Sequence, residues 1–314
     1  MRNSNNGRCL AKKRGGFRQL WKEIVANWVN YLMLAPFVTL FFIFTVLPII
    51  SAFGLSFTNF NMLQTPRYIG WSNYIRLFLA DDVFLIAVRN TLVFAVLTGP
   101  ISYFCCLFFA WLINELPPKL RTIMTFVFYA PSISGNLFVI WMYIFSGDAY
   151  GMANSLLMTL GIIHEPIQWL TDPQYNLTIV IIVQIWLSLG ASFLSFIAGL
   201  QSVDRQLYEA GAVDGIRNRW QEFFKITLPS MGPQLLFGAV MQISAAFSVG
   251  GIAQTLTGFP STDYSTHTII THIQDYGSLR FEMGYASAIS VVLFIAIFFT
   301  NNLIRRVIEK YTAD

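Results

Sequence analysis

Residues 173–203 read PQYNLTIVIIVQIWLSLGASFLSFIAGLQSV, a run of 31 residues without Asp, Glu, Lys or Arg. A helix of about 20 apolar residues crosses the hydrocarbon core of a bilayer, so this run is long enough to span a membrane. Outward from it, the chain holds five further charge-free runs of comparable or greater length, at 24–66, 90–114, 122–147, 226–262 and 283–304. The sequence therefore predicts six membrane-spanning helices.

The composition agrees with a polytopic membrane protein. Of the 314 residues, 55% are hydrophobic and 11% are charged, which leaves too little polar surface for a soluble globule of this size. Outside the spans no segment is longer than about 35 residues, so we expect no catalytic domain among them. The predicted fold class is an all-α polytopic membrane protein, with a break near Gly99-Pro100 and spans at about 31–58, 85–114, 122–146, 176–201, 232–256 and 283–304.

The positive charges predict the orientation. Sixteen of the twenty Lys and Arg residues lie in the N-terminal tail, in the connections after the second and fourth spans, or from Arg305 onward. Positive residues collect on the cytoplasmic side, so we expect a cell membrane protein with cytoplasmic tails at 1–30 and 306–314, flanking a six-helix domain over 31–305. Nucleic-acid binding by the basic tail is the rival interpretation, but the tail adjoins a membrane span.

The Cys and His residues do not show the spacing of a disulfide framework or a metal site. Cys105 and Cys106 are neighbours within one span and are interpreted as packing residues. His164, His267 and His272 lie in outer segments, and we expect the last two in solvated loops.

The sequence indicates neither a nucleotide site nor ion-driven transport. It contains no Gly-x-x-x-x-Gly-Lys-Ser/Thr phosphate loop. The centres of the predicted spans carry no ionisable residue, whereas a transporter driven by ions would normally place one there. We therefore expect a chain that is not itself an enzyme and binds no cofactor.

The connection after the fourth span carries the most informative motif. Residues 208–215 read YEAGAVDG, and ITLP follows at 226–229. We expect a short amphipathic helix over 204–214, stopped by Gly215, and a second helix over 217–226. A helix–Gly–helix held between two spans is well placed to dock into another protein.

This loop resembles the cytoplasmic signature loop of permease subunits from binding-protein-dependent ABC importers. EAGAVDG and ITLP are the two halves of that signature, with Gly211 at a position where Ala is frequent. The flanking residues resemble the carbohydrate-uptake branch, in particular the larger-partner type of a heterodimeric permease pair. The stretches that carry this likeness, which covers about residues 28–310, are YLMLAP (31–36), SFT (56–58), WSNY (71–74), AGLQSV (198–203) and FFKITLP (223–229).

The resemblance implies a type I ABC importer permease fold and a set of partners. The chain would pair with a second homologous permease, sit on two ATP-binding cassette subunits that bind ATP and Mg, and receive a sugar or oligosaccharide from an extracytoplasmic solute-binding protein. Residues 204–229 would be the coupling loop, seated in a cleft of the ATPase. The resemblance assigns a polar contact to Glu209, close packing to Ala210 and Gly211, and the turn to Gly215. The full coupling set is Glu209, Ala210, Gly211, Asp214 and Gly215.

Polar residues on the spans are the candidates for a sugar path, because a sugar needs hydrogen-bonding groups and aromatic faces. Gln184 and Ser188 lie one turn apart on the fourth span, with Trp186 nearby, and further candidates occur on the third and fifth spans. A hydrogen bond between helices is the alternative role for each polar residue. The path candidates are Asn136, Gln184, Trp186, Ser188, Gln242 and Ser248.

Two alternative functions stay open from the residues. The same machinery would serve for a non-sugar solute such as glycerol phosphate or a polyamine. A polytopic scaffold or signalling protein would have a similar composition. A stable complex with two ATP-binding subunits would exclude the scaffold.

Overall fold

The computed structural model describes residues 25–312. Residues 1–24 and 313–314 lie outside this part, so the predicted tails 1–30 and 306–314 are described only where they adjoin the spans. The described residues divide into two compact units, with the boundary between Ala52 and Phe53. Between residues 25 and 312 the structure is helical and contains no β-strand, only an isolated bridge between Thr58 and Tyr68.

The helices alternate long spans with short connecting segments. A π-helical turn lies inside α1, α10 and α13. In chain order the helices are α1 (Trp28–Leu55), α2 (Ser72–Leu79), α3 (Asp82–Asn114), α4 (Pro118–Ile133), α5 (Leu137–Ile144), α6 (Met152–Thr159), α7 (Asn176–Leu187), α8 (Ala191–Ser202), α9 (Arg205–Val213), α10 (219–230), α11 (Gly232–Phe247), α12 (Gly251–Thr257), α13 (269–279) and α14 (Met283–Thr312).

The predicted spans correspond to these helices. Four segments are long and apolar enough to cross a membrane: α1, α3, α7 with α8, and α14. The third and fifth spans are bent pairs, α4 with α5 at 85° and α11 with α12 at 42°. Counting each bent pair as one span gives six, and the predicted all-α polytopic fold is confirmed.

Three spans are interrupted at short stretches that contain Ser and Gly. α4 ends before 134–136, where Gly135 has a φ of +60°. α7 and α8 are separated by 188–190, and α11 and α12 by 248–250. Gly250 permits a close approach, because a Cβ atom there would lie 2.3 Å from Cγ2 of Ile270.

The break that Gly99-Pro100 predicts is absent, and that expectation is wrong. α3 continues through Pro100 from Asp82 to Asn114. Membrane helices tolerate Pro when neighbouring groups compensate for the lost hydrogen bond. A Cβ atom placed at Gly99 would lie 3.8 Å from the Cβ atom of Ala246 on α11, so packing against α11 supports α3 at this point.

The core of the second unit forms around α3, which packs against α7, α8 and α11, while α11 also packs against α14. One cluster, with Phe193, Phe196 and Met231, lies toward the end of the bundle that carries α9 and α10, which we call the loop end. Another, with Phe84 and Ile289, lies toward the opposite end. The spans therefore pack against one another toward both ends of the bundle.

His267 and His272 do not lie in solvated loops, and this expectation is also wrong. Both side chains are buried, with 2% and 1% exposed. Nε2 of His267 lies 3.0 Å from Nδ1 of His272, whose Nε2 lies 3.1 Å from Oδ2 of Asp81. Tyr285 donates to the same oxygen at 2.7 Å. Because Asp81 lies far from both histidines along the chain, local sequence does not indicate this cluster.

Candidate coupling loop and translocation path

The loop between the fourth and fifth spans contains two short helices joined by a sharp turn. The Asp204 side chain caps the N-terminus of α9. At the C-terminus, Ile216 N donates to Gly211 O at 2.9 Å and Gly215 N donates to Ala212 O at 3.3 Å, which are the two bonds of a Schellman motif. Gly215 has a φ of +90°, which Gly adopts without steric cost. The first helix thus ends where the sequence predicts.

The second helix packs directly on the first. A Cβ atom at Gly211 would lie 2.6 Å from Cδ1 of Ile226 and 3.1 Å from Cδ1 of Ile216. The hydroxyl groups of Tyr208 and Thr227 lie 2.9 Å apart and join the same two helices. Gly211 is therefore buried inside the loop, and its small size lets α9 and α10 pack as one body.

The other coupling candidates on α9 face outward. Glu209, Ala210 and Asp214 are exposed, beside the apolar side chains of Leu207, 46% exposed, and Val213, 89% exposed. Glu209 forms an ion pair one helical turn away on α9, but both groups are solvated, so this pair contributes little to stability. The outer face of α9 thus presents apolar groups and carboxylates together.

Three of the path candidates meet inside the bundle. Gln242 donates from Nε2 to Ser188 O at 3.1 Å and to Cys106 Sγ at 3.2 Å. Gln184 donates to Ala245 O at 3.5 Å, and its Oε1 is buried without a hydrogen-bond partner among residues 25–312. Both glutamines are buried: the exposed fraction is 7% for Gln184 and 4% for Gln242. They connect the fourth span to the fifth, and Gln242 satisfies a carbonyl group at the break in the fourth span.

The remaining three path candidates lie elsewhere. Trp186 is half-buried and packs edge-on against Trp141, with 5.5 Å between ring centroids. Asn136 and Ser248 are exposed, and each lies at a helix break. These two side chains are exposed in the isolated chain, whereas both glutamines are buried.

The fifth span carries a polar stripe from which the sequence argument selects only Ser248. Ser244 and Ser248 lie one turn apart at the end of α11, Gly251 and Thr255 lie one turn apart on α12, and all four are exposed or half-buried. A spacing of three or four residues places side chains on the same face of a helix, and this spacing could have identified the residues from the sequence. It is obscured because small residues occur throughout this span and equally favour helix packing.

A bundle of apolar helices that breaks at mid-length and carries a compact helix–turn–helix at one end is the architecture of a membrane transport subunit. The sequence profile described as binding-protein-dependent transport system inner membrane component matches residues 87–312. The chain belongs to this family.

Individual relatives extend the similarity to most of the chain. The probable ABC transporter permease protein YesP of Bacillus subtilis is 31% identical over 300 residues, which cover 94% of this chain and 93% of YesP. The lactose transport system permease protein LacF of Rhizobium radiobacter is 31% identical, over 85% of this chain and 90% of LacF. A chain in the crystal structure of a bacterial alginate ABC transporter superposes with a TM-score of 0.73 at 27% identity, covering 93% of this chain and 99% of that one. The resemblance inferred from residues 204–229 is confirmed.

Proposed function

We propose that this chain is the permease subunit of an ATP-driven importer for a sugar or oligosaccharide. The observation that carries the proposal is the loop over 204–229, in which two capped helices pack as one body and expose Leu207, Val213 and Glu209. A compact knob with exposed apolar groups fits a cleft in a partner subunit. The partners are two ATP-binding cassette subunits, which bind ATP and Mg, a second homologous permease and an extracytoplasmic solute-binding protein.

The charge distribution supports a cytoplasmic position for the loop end. The connections at this end carry Lys119, Arg121, Arg205, Arg217 and their neighbours, whereas the opposite connections carry few positive residues. Both termini follow the same side in a chain with six spans. The coupling surface then faces the compartment in which ATP is available.

The mechanism is alternating access. Closure of the two ATPase subunits around ATP moves the docked loop, and because α9 and α10 are joined through Gly211 and the Tyr208–Thr227 hydrogen bond, the loop moves as a unit. The fourth and fifth spans follow it, and the two permeases rock so that the cavity between them opens outward. The chain supplies geometry, while ATP hydrolysis belongs to its partners.

Neutral, hydroxyl-rich cargo fits the accessible polar groups best. Asn136, Ser248 and Thr255 offer uncharged polar groups, and the Ser248 and Thr255 hydroxyls, which donate to Ser244 O and Gly251 O, keep lone pairs free to accept. Relatives are named for lactose, for arabinooligosaccharides and for trehalose/maltose. The sn-glycerol-3-phosphate permease UgpA of Agrobacterium fabrum, 27% identical, supports glycerol phosphate as the second candidate. An anionic cargo of that kind would need a cationic partner, and none of Asn136, Ser248 and Thr255 is cationic.

Reconstitution of the chain with its partner subunits tests the proposal. Glu209→Lys reverses a charge on the coupling face, and Gly215→Pro forces a φ near −65° where the turn needs +90°. Both variants are expected to abolish uptake and to insert normally, whereas His164→Gln, at an exposed outer residue, should transport normally. Normal uptake by both loop variants would contradict the coupling role. If the unaltered chain failed to co-purify with ATP-binding subunits, that result would favour the scaffold alternative.

A further inference from the structure

The coupling loop is attached to a second part of the chain besides the spans that flank it. The turn between the second and third spans, residues 114–121, lies at the same end of the bundle. Nη2 of Arg219 on α10 lies 3.4 Å from Oε2 of Glu115 in this turn. Nη1 of the same guanidinium donates to Glu222 at 3.0 Å, so Arg219 joins its own helix to the 114–121 turn.

Because both members of this ion pair are largely exposed, the attachment depends mainly on an aromatic contact beside it. The ring of Trp111, in the last turn of α3, lies 4.9 Å from the ring of Trp220 and 5.1 Å from the ring of Phe223. Aromatic rings attract one another at such separations. Phe223 is buried, whereas Trp220 is 54% exposed, so the contact is anchored at one side and accessible at the other.

The attachment is made by α10 and not by α9. A cavity of about 340 Å³ lies beneath the loop, and its polar lining includes Asn114, Arg121 and Tyr208. Oδ1 of Asn114 and Nε of Arg121 are buried without a hydrogen-bond partner among residues 25–312. The cavity leaves α9 free of the 114–121 turn while α10 is fastened to it.

We infer that Arg219 and Trp220, with Glu115 and Trp111, form a second route of transmission, through which displacement of the coupling loop moves the second and third spans directly. This inference rests on the proposed function, because it requires the loop to be moved by a partner. The flanking connections join the loop covalently to the fourth and fifth spans alone, and the second span is reached otherwise only through the packing of α8 and α11 on α3. The contact between Glu115 and Arg219 connects the coupling loop directly to the second and third spans, which the 114–121 turn joins. The loop end then moves as one body.

The decisive experiment joins the two sides of the contact covalently. Glu115→Cys and Arg219→Cys are combined in a chain whose own three cysteines are replaced by Ser, and the assembled transporter is reconstituted in proteoliposomes. Without cross-linking, we expect sugar uptake per ATP hydrolysed to fall by about fivefold, a typical coupling effect. A short reversible bis-methanethiosulfonate cross-linker should restore uptake, and reductant should remove the gain. Cross-linking that abolishes uptake, or leaves it low, would overturn the inference, because the two sides would then need to move apart or would not transmit motion.

Two single variants keep the test independent of the cysteine pair. Glu115→Gln removes the partner of Arg219 in the turn, whereas Glu165→Gln removes an exposed carboxylate in the connection between the third and fourth spans, outside the coupling loop. We expect the first to lower uptake per ATP and the second to leave it near the unaltered value. Equal ratios in the two variants would overturn the inference. An unaltered complex that neither binds ATPase subunits nor transports would instead refute the proposed function, and the inference with it.

Discussion

At the scale of single residues, the cluster of Asp81, His267 and His272 shows how burial sets charge. Asp81 lies just before the second span and accepts hydrogen bonds from Phe84 N, from Tyr285 and from His272. Burial alone would raise the pKa of Asp81, but these donors favour the carboxylate and lower the pKa on balance. Burial lowers the pKa of His272, and the nearby carboxylate only partly offsets this. Two positive imidazolium rings at 3.0 Å would repel each other, so the pair carries at most one positive charge.

Because of this cluster, we expect the free energy of unfolding to decrease as the pH falls below about 6.5. Burial, followed by the adjacent His272, lowers the pKa of His267 to about 4. An unfolded histidine titrates near pH 6.5, so between about pH 6.5 and 4 the unfolded chain binds more protons than the folded one. Acidification therefore favours unfolding, by about 3 kcal/mol over the whole window. Thermal unfolding midpoints of the purified chain, measured from about pH 7.5 down to 5, test this expectation.

His267→Gln supplies the matching control for the pH series. The variant removes one titrating group and should flatten the dependence of the midpoint on pH, even if it lowers the midpoint itself. His164→Gln, at an exposed histidine, should leave the dependence unchanged. If the slope is the same in His267→Gln as in the unaltered chain, another group controls acid stability.

The two glycines of the coupling loop are expected to respond differently to Ala. At Gly211 the atoms in the way are the terminal Cδ1 atoms of Ile226 and Ile216, which side-chain rotation can move, and Ala gains about 1 kcal/mol of helix propensity. At Gly215 the φ of +90° is unfavourable for Ala, by about 1–2 kcal/mol. Uptake assays should therefore show near-normal transport for Gly211→Ala and reduced transport for Gly215→Ala. The opposite order would contradict the packing described for the loop.

At the scale of helices, the breaks in the spans depend on glycines that meet other elements. A Cβ atom at Gly250 would lie 2.3 Å from Cγ2 and 2.8 Å from Cβ of Ile270, and a β-branched side chain cannot rotate these atoms away. The neighbouring Gly251 has no atom within 4 Å of its virtual Cβ. The break between α11 and α12 is thus fixed by packing of α13 at one of two adjacent glycines.

Gly250→Ala is expected to destabilise the chain and Gly251→Ala is not. The first substitution overpacks the contact with Ile270, which should cost about 1–3 kcal/mol. The second adds a methyl group in open space. Thermal unfolding in detergent compares the two variants, which differ by a single position in the same segment. Equal midpoints would mean that α13 does not pack on the break as described.

Sequence reasoning predicts the spans well and their interruptions poorly, for physical reasons. A charge-free run is a local property, so six runs give six spans with boundaries within a few residues. A break depends on what packs against it: Pro100 lies within a continuous helix, while 188–190 and 248–250 break without any Pro. The buried histidines depend on Asp81, which is distant in sequence, and no local pattern indicates that contact.

The same contrast applies to the candidate site. The turn of the coupling loop is predicted correctly because Gly215 is a local stop signal. The orientation of Gly211, which faces Ile226 inside the loop, follows from a contact between two helices and is not visible in the motif. Polarity alone selects Gln184 and Gln242 as readily as Ser248, although only Ser248 is exposed.

At the scale of the whole molecule, the spans separate two ends with different construction. The loop end carries the helix–turn–helix and its attachment to 114–121, whereas the opposite end is fastened by buried polar contacts such as Asn90 to His267 O and Thr91 to Ile269 N. Between them, the exposed polar groups of Asn136, Ser248 and Thr255 lie at or near helix breaks. A molecule built in this way can change the access to its middle while each end keeps its own contacts.

Thiol labelling in the assembled transporter tests this alternation. Asn136→Cys and Ser248→Cys are introduced singly into a chain whose own cysteines are replaced by Ser, with Gln242→Cys as the buried control, at 4% exposure. If the exposed polar groups line the path, a membrane-impermeant maleimide added outside should label both positions only when the ATPase subunits are trapped with ATP. The same reagent added inside should label them only without nucleotide, because alternating access exposes the path to one side at a time. Gln242→Cys should stay unlabelled in both states. Labelling from both sides in one state would contradict alternating access, and failure to label Asn136→Cys and Ser248→Cys in either state would place these residues against lipid or a partner helix instead of the path.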